Sequence, residues 1–268
     1  MGSYIYNDKN KLNNLTGSEW KFATKSVIDK PYPINMQHKL RSEHGGQKPP
    51  ELCADIIKIF SKEGQKILDP FMGVGGTLLG ASLTNREAVG IDINARWIEI
   101  YNEVSELEGL KKQAVYCGDS IKVLDEFEEE SFDFILTDVP YWNMDALEKT
   151  RNKKIKQSKL SNFENKTEQQ SKLEWLNLMK DILQKSVKKL KNNQYMAVFI
   201  GDLYRNKKYH FLSGELAEKL SEIDGLTLKG NLIWVDNSKS LHVFGYPAAF
   251  IPSMIHQNIL IFRKEKLL

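Results

Sequence analysis

Asp138, Pro140 and Tyr141 stand together in the run Asp138-Val139-Pro140-Tyr141, and each of these residue types has a use in chemistry on an amino group. A carboxylate accepts hydrogen bonds from an amino N–H, proline fixes the backbone around it, and a tyrosine ring offers a flat face for another ring to stack on. An exocyclic amino nitrogen on an aromatic base needs such help, because its lone pair is delocalised into the ring and it is a poor nucleophile. Hydrogen bonds from its two protons to a carboxylate and to a backbone carbonyl favour a more tetrahedral, reactive geometry. Here the carbonyl falls to the second position, Val139. Neither a metal nor a covalent intermediate is required. A lone D-x-P-Y run is more often a plain turn, so its meaning rests on what surrounds it.

A second cluster, Asp69-Pro70-Phe71-Met72-Gly73-Val74-Gly75-Gly76-Thr77, reads as the passage from a strand into a helix. Gly73 and Gly75 permit a tight turn and a close approach of backbone to ligand at the carboxyl end of that strand, where open α/β sheets bind ligands. The next strand ends in Gly90-Ile91-Asp92, placing an acid about 20 residues after the glycine turn, where it can accept from ribose hydroxyls. A phosphate-binding dinucleotide loop would read G-x-G-x-x-G. This loop begins with Asp69 and offers Phe71, and an acid there suits the ammonium of a methionine moiety better than a pyrophosphate. The third strand ends in Gly118-Asp119, placed for an adenine amino group. One such acid is readily a helix cap; three at successive strand ends point to a cofactor, S-adenosyl-L-methionine.

The elements that must position these groups follow from periodicity. Short β-branched runs alternate with helical patterns, which predicts a parallel sheet covered by helices on both faces. Strands are expected at Gln65–Leu68, Ala88–Asp92, Gln113–Cys117, Phe132–Thr137, Tyr195–Ile200, Leu226–Val235 and Asn258–Phe262, and helices at Pro50–Ser61, Thr77–Leu83, Ala95–Glu108, Lys172–Lys191 and Ser213–Ile223. The fourth of these helices carries Leu173, Leu176, Met179, Ile182, Leu183 and Leu190 as its expected apolar face. Only the loop around Phe244-Gly245-Tyr246-Pro247 separates the last two strands, so they are expected to pair antiparallel. Seven strands, mostly parallel, with a reversed last strand outline the α/β class I methyltransferase fold, Rossmann-like.

Together the run Gly46-Gln47-Lys48-Pro49-Pro50-Glu51-Leu52, the loop Ile67-Leu68-Asp69-Pro70-Phe71-Met72-Gly73-Val74-Gly75 and Gly90-Ile91-Asp92-Ile93 resemble the DNA amino methyltransferases that modify adenine N6 or cytosine N4. Asp138-Val139-Pro140-Tyr141 is similar to that family's catalytic motif, most often D-P-P-Y or S-P-P-Y, with Val139 replacing the first proline. The closing strand His256–Lys264 also resembles the family's. The resemblance implies cofactor-binding roles for Lys48, Asp69, Phe71, Gly73, Gly75, Asp92 and Asp119, and catalytic roles for Asp138, Val139, Pro140 and Tyr141. Apart from it, Lys48 reads equally as a surface lysine before a Pro-started helix. Unlike many members that share the loop, this chain has its cofactor motifs before its catalytic motif.

At 268 residues, 41% hydrophobic and 27% charged, the chain reads as one α/β domain with an N-terminal extension over residues 1–45. No stretch approaches the roughly 18 apolar residues of a spanning helix, and the polar start lacks a secretory core, so a cytoplasmic protein is expected. Cys53 and Cys117, the only two cysteines, lie in unrelated contexts and are expected as buried small residues, with neither disulfide nor zinc. The five histidines show no catalytic spacing. A net charge of +3 proves no polyanionic partner by itself. Its distribution says more: after Tyr141 come Trp142 and a basic loop to residue 172 with Lys149, Arg151, Lys153 and Lys154. That loop is either solvated or a nucleic-acid contact closing over a flipped nucleotide. The loop at 236–256 is open to the same two readings.

The favoured expectation is a DNA methyltransferase, adenine N6 ahead of cytosine N4. An RNA base amino methyltransferase and a non-catalytic homologue that binds cofactor or nucleic acid are the alternatives. Expected partners are DNA, RNA in second place, a second copy of the chain and a cognate restriction endonuclease, with no membrane.

Overall fold

A computed structural model describes residues 5–142 and 167–265. Eight strands form the main sheet: β1 (Val27–Ile28), β2 (Lys66–Asp69), β3 (Glu87–Asp92), β4 (Ala114–Cys117), β5 (Phe132–Asp138), β6 (Leu190–Ile200), β9 (Leu226–Val235) and β10 (His256–Lys264). A separate hairpin pairs β7 (Leu203–Arg205) with β8 (Lys208–His210). The order across the main sheet is β1-β9-β10-β6-β5-β2-β3-β4. Only β10 runs against its neighbours, antiparallel to β6 on one side and β9 on the other. All seven expected strands are present. The eighth, β1, is a two-residue edge strand beside β9, too short to leave a periodic signal.

The helices are α1 (Gly17–Ala23), α2 (His38–Arg41), α3 (Pro50–Phe60), α4 (Gly76–Ser82), α5 (Ala95–Leu107), α6 (Ser120–Val123), α7 (Glu168–Lys189) and α8 (Leu212–Ser221). Their apolar faces form two cores, one on each face of the sheet, and the strands alternate between them as a pleat requires. On β6, Met196, Val198 and Ile200 enter the core under α7 and α8, while Ala197 and Phe199 enter the one under α3, α4 and α5. On β2, Leu68 and Ile67 divide the same way. Helix α3 starts on Pro50, whose missing N–H costs nothing in the first turn, and buries Leu52, Cys53, Ile56, Ile57 and Phe60. Helix α7 starts four residues before its expected bound because Thr167 and Gln170 form a capping box. Its buried face runs through Trp175, Leu176, Met179, Ile182, Leu183 and Val187; Leu173, expected there, is exposed. Cys53 is buried as expected but Cys117, the last residue of β4, is exposed. None of the described helices is long and apolar enough to cross a membrane.

The strand-to-helix passage at β2 decides the geometry of the site. Gly75 precedes α4 with φ of 79°, a left-handed conformation, and a Cβ placed there would lie 2.2 Å from the Tyr101 ring. That ring is held in turn, because its hydroxyl accepts from the Gln113 N–H at 2.8 Å. Gly75→Ala therefore combines a left-handed penalty with overpacking, and should destabilise the protein by about 2–4 kcal/mol in urea unfolding. A loss under about 0.5 kcal/mol would show that the loop relaxes freely.

Candidate active site

Because β2, β3, β4 and β5 are parallel, their carboxyl ends lie along one edge of the sheet. Asp69 closes β2 and Asp92 closes β3, Asp119 follows β4, and Asp138 closes β5. Hydrogen bonds tie these ends together. The Gly73 N–H donates to Asp92 Oδ2 at 2.9 Å, the Met72 N–H to the Ile91 carbonyl at 3.0 Å, and the Gly118 N–H to the Asp92 carbonyl at 2.9 Å. Ser120 Oγ donates to the Pro70 carbonyl at 2.6 Å, fixing the segment after β4 to the glycine loop.

Each acid is compensated differently. Asp69 is buried; its Oδ1 accepts from the Thr137 hydroxyl at 2.6 Å and the Phe71 N–H at 3.1 Å. Burial, with a smaller push from the nearby Asp138 charge, raises its pKa to about 7 against those hydrogen bonds. Asp92 accepts from the Gly73 and Asn94 N–H groups, and burial raises it to about 6. Asp119 caps α6 through the Ile121 N–H at 3.2 Å. Asp138 receives the Lys48 ammonium on Oδ2, while its Oδ1, shielded from solvent, has no hydrogen-bond partner among the described residues.

This places Lys48 differently from the resemblance. Its ammonium also donates to the Gly46 carbonyl at 3.1 Å and faces the Tyr141 and Phe199 rings at 5.8 and 5.5 Å from their centroids. It is 6% exposed, so the reading as a surface lysine is excluded. Phe71 and Tyr141 both lie partly buried against the core under α7. The Tyr141 hydroxyl lies near Gly201 and beside the Asp138 carboxylate, which it helps to keep charged, although neither it nor Asp138 Oδ1 completes a well-formed hydrogen bond among the described residues. Val139 is buried in that core, and the Pro140 carbonyl accepts the Trp175 indole N–H at 2.7 Å. The turn Asp138-Val139-Pro140-Tyr141 is therefore braced by packing where the first proline of the family motif is missing.

Trp142 is a correction. Expected to contact nucleic acid, it is 1% exposed, donates its indole N–H to Ser171 Oγ at 2.7 Å and packs against the His210 ring. A side chain so enclosed anchors the end of the motif to α7. Lys149, Arg151, Lys153 and Lys154 lie outside the described residues. The loop between β9 and β10 is described, and it exposes Leu241, Val243, Tyr246 and Phe250 beside Lys239 and His242. Phe244, Tyr246, Pro247, Ala249, Phe250 and Ile251 line an open cleft of about 350 Å³ there.

Sequence reasoning missed His44. Its ring meets Trp97 edge-on at 5.1 Å and would lie 3.0 Å from a Cβ at Gly73. Burial, with the Lys48 and Arg41 charges in addition, lowers its pKa to about 4, so it stands neutral over the glycine loop. No spacing pattern links one histidine to a turn 29 positions on, although its closeness to Lys48 in sequence was a usable hint.

The family model described as DNA methylase, the N6/N4 group, matches residues 4–103 and 132–267. The chain belongs to the DNA amino methyltransferase family. Among curated relatives, the tRNA (guanine(10)-N2)-dimethyltransferase of Pyrococcus abyssi is 33% identical over 110 residues, 41% of this chain and 33% of that protein. The type II methyltransferase M.HpaI of Haemophilus parainfluenzae is 33% identical over 96 residues, 34% of this chain and 28% of that protein. The chain thus covers about a third or less of these relatives' lengths. Among solved structures, TrmN from Thermus thermophilus superposes with a TM-score of 0.54 at 14% identity, over 88% of this chain and 54% of that one. That likeness shows the class I methyltransferase fold. The cofactor is S-adenosyl-L-methionine, and the donor set fits it: carboxylates at successive strand ends offer acceptors for an ammonium, ribose hydroxyls and an adenine amino group.

The raised pKa of Asp69 carries a consequence for stability. Folded Asp69 holds its proton to about pH 7, whereas the unfolded carboxyl releases it near its ordinary value of about 3.8, so this group's contribution is full below about pH 4 and is lost as pH rises towards 7. Asp69→Asn keeps an oxygen acceptor without a titrating proton. Measured by urea unfolding, the variant should gain on the wild type by up to about 1.4 kcal/mol per pH unit between pH 4 and 7, and by nothing more above that window. A difference that does not change with pH would contradict the buried, raised carboxyl.

Proposed function

We propose that this chain transfers a methyl group from S-adenosyl-L-methionine to an exocyclic amino group of a base in DNA, adenine N6 ahead of cytosine N4. The observation that carries the reading is Asp138. It closes the strand next to the glycine loop, one oxygen is engaged by Lys48, and the other, with the Tyr141 hydroxyl close by, completes no hydrogen bond among the described residues. An amino N–H directed at Oδ1 supplies the missing donor. The cofactor provides an electrophilic methyl on a sulfonium. The amino nitrogen forms the new N–C bond as the S–C bond breaks, the electron pair goes to sulfur, and the nitrogen's extra proton leaves to solvent. Asp138 and the Val139 carbonyl hold the two amino protons, and the Tyr141 face holds the ring.

Such a site cannot reach an amino group inside a duplex, so the base must be rotated out and stacked. The exposed aromatic residues between β9 and β10 supply a surface for the nucleic acid around it, and the basic segment after Trp142 supplies phosphate contacts. A second reading has its own support: relatives named as tRNA (guanine(10)-N2)-dimethyltransferases are as similar to this chain as M.HpaI is. Guanine N2 is also an exocyclic amino group, and the same Asp138 chemistry would serve it.

Offering unmethylated DNA and tRNA with methyl-labelled cofactor, then identifying the labelled nucleoside by mass spectrometry, tests the reading. N6-methyladenine in DNA is expected; N2-methylguanine in tRNA alone would favour the second reading. Asp138→Ala should reduce transfer by at least about a hundredfold, the scale of a lost transition-state hydrogen-bond group, with cofactor affinity by calorimetry unchanged. Retained transfer in that variant would remove Asp138 from the chemistry and favour a merely structural turn. Asp92→Ala should show the opposite pattern, weakening cofactor binding by roughly 1.5–3 kcal/mol, and unchanged affinity would place the ribose acceptor elsewhere.

A further inference from the structure

The sequence resemblance assigns Lys48 to the cofactor, but the structure ties it to the other half of the site. Its ammonium is enclosed between the Tyr141 and Phe199 rings and holds Asp138 Oδ2 and the Gly46 carbonyl. The Arg41 guanidinium, itself buried, donates to the Lys48 carbonyl, so the lysine backbone is fixed from behind. We propose that Lys48 is a positioning residue of the catalytic carboxylate: it clamps Oδ2 of Asp138 and presents Oδ1, ionised, to the target amino group. This rests on the reading of Asp138 given above.

The electrostatics agree with the geometry. Burial raises the Asp138 pKa, and the Lys48 charge and hydrogen bond act against that rise. A protonated Asp138 would have lost charge on the oxygen needed to accept an amino N–H. Among the described residues, the other groups facing the pair offer no substitute cation for Asp138, and the Tyr141 hydroxyl adds to the Lys48 effect. Asp69 and the Cys53 thiol carry negative charge or none, and Tyr141 and, beyond it, Asp202 lie on the other side. His44, whose pKa is lowered, stands near Lys48, and Lys239 adds a like charge towards Lys48 from the β9–β10 loop. A carboxylate with one oxygen pinned also cannot rotate to offer the wrong lone pair, which is the preorganisation a weak nucleophile needs.

Lys48→Met and Lys48→Arg test the assignment by the titration of Asp138, followed through its ¹³C-carboxyl resonance and assigned with Asp138→Asn. In Lys48→Met the midpoint should rise by at least one pH unit, and the acid limb of the kcat profile should move with it, at least a tenfold loss at any pH on that limb. Lys48→Arg should return both towards wild type. Cofactor affinity should change less than threefold in either variant. A Met variant with an unmoved midpoint and acid limb would overturn the proposal, as would a tenfold loss of cofactor affinity with the midpoint unmoved. Should the Met variant not fold, the wild-type Lys48 ammonium ¹⁵N resonance decides: it should shift with the Asp138 midpoint, and independence of the two would overturn the pairing. Asp138→Ala tests the underlying reading separately. If it still transfers methyl, the catalytic role fails whatever Lys48 does; if it is inactive beside an unmoved Lys48→Met midpoint, only the role of Lys48 fails.

Discussion

Four strands of a parallel sheet end in or beside carboxylates, and burying several like charges along one edge is the constraint on which the rest of this structure depends. Such charges are costly unless each is neutralised or hydrogen-bonded. Asp69 is met by a hydroxyl and a backbone N–H, Asp92 by two backbone N–H groups, Asp119 by the start of a helix, and Asp138 by a cation. The loop geometry follows from these partnerships. Gly73 must turn its N–H onto Asp92, Gly75 must pass the Tyr101 ring, and the chain before α3 must fold back to bring Lys48 across to β5.

The unequal compensation divides the edge into functions. Backbone donors fix Asp92 and Asp119, and a carboxylate held by N–H groups can also accept from hydroxyl or amino groups of a bound molecule. Asp69 is buried so completely that, despite its hydrogen bonds, its proton persists to about pH 7. Asp138 alone faces an ammonium, and alone among the four has a solvent-shielded oxygen without a partner among the described residues. Neighbouring carboxyls with such different partners can take different roles.

Much of this was legible in the sequence because parallel strands write their order plainly. Apolar β-branched runs ending in Asp69, Asp92 and Asp138 fixed both the strands and the edge at which the acids meet. What was not legible came from contacts between distant residues. His44 reaches Gly73 only because the segment after α2 folds over the glycine loop, and no periodicity encodes that. Lys48 and Asp138 are 90 positions apart, and the motif around Lys48 resembled a cofactor segment strongly enough to hide its partner. Trp142 stands between the candidate catalytic motif and a basic run, so position suggested a ligand contact, whereas its size and apolarity sent it to the core that also holds Trp175. Edge strand β1 rests on two residues, below the length at which alternation can be seen.

On the proposed function, cofactor and target base lie side by side along this one edge, on acids that come from adjacent strands. A crystal structure with S-adenosylhomocysteine and a nucleoside bound tests that placement most directly. The expected result is the cofactor ribose at Asp92, its adenine towards Asp119, and the nucleoside stacked on Tyr141 with its amino group at Asp138 Oδ1 while Lys48 keeps Oδ2. A cofactor whose amino-acid end displaces Lys48 and occupies Asp138, or a nucleoside seated away from Tyr141, would contradict it.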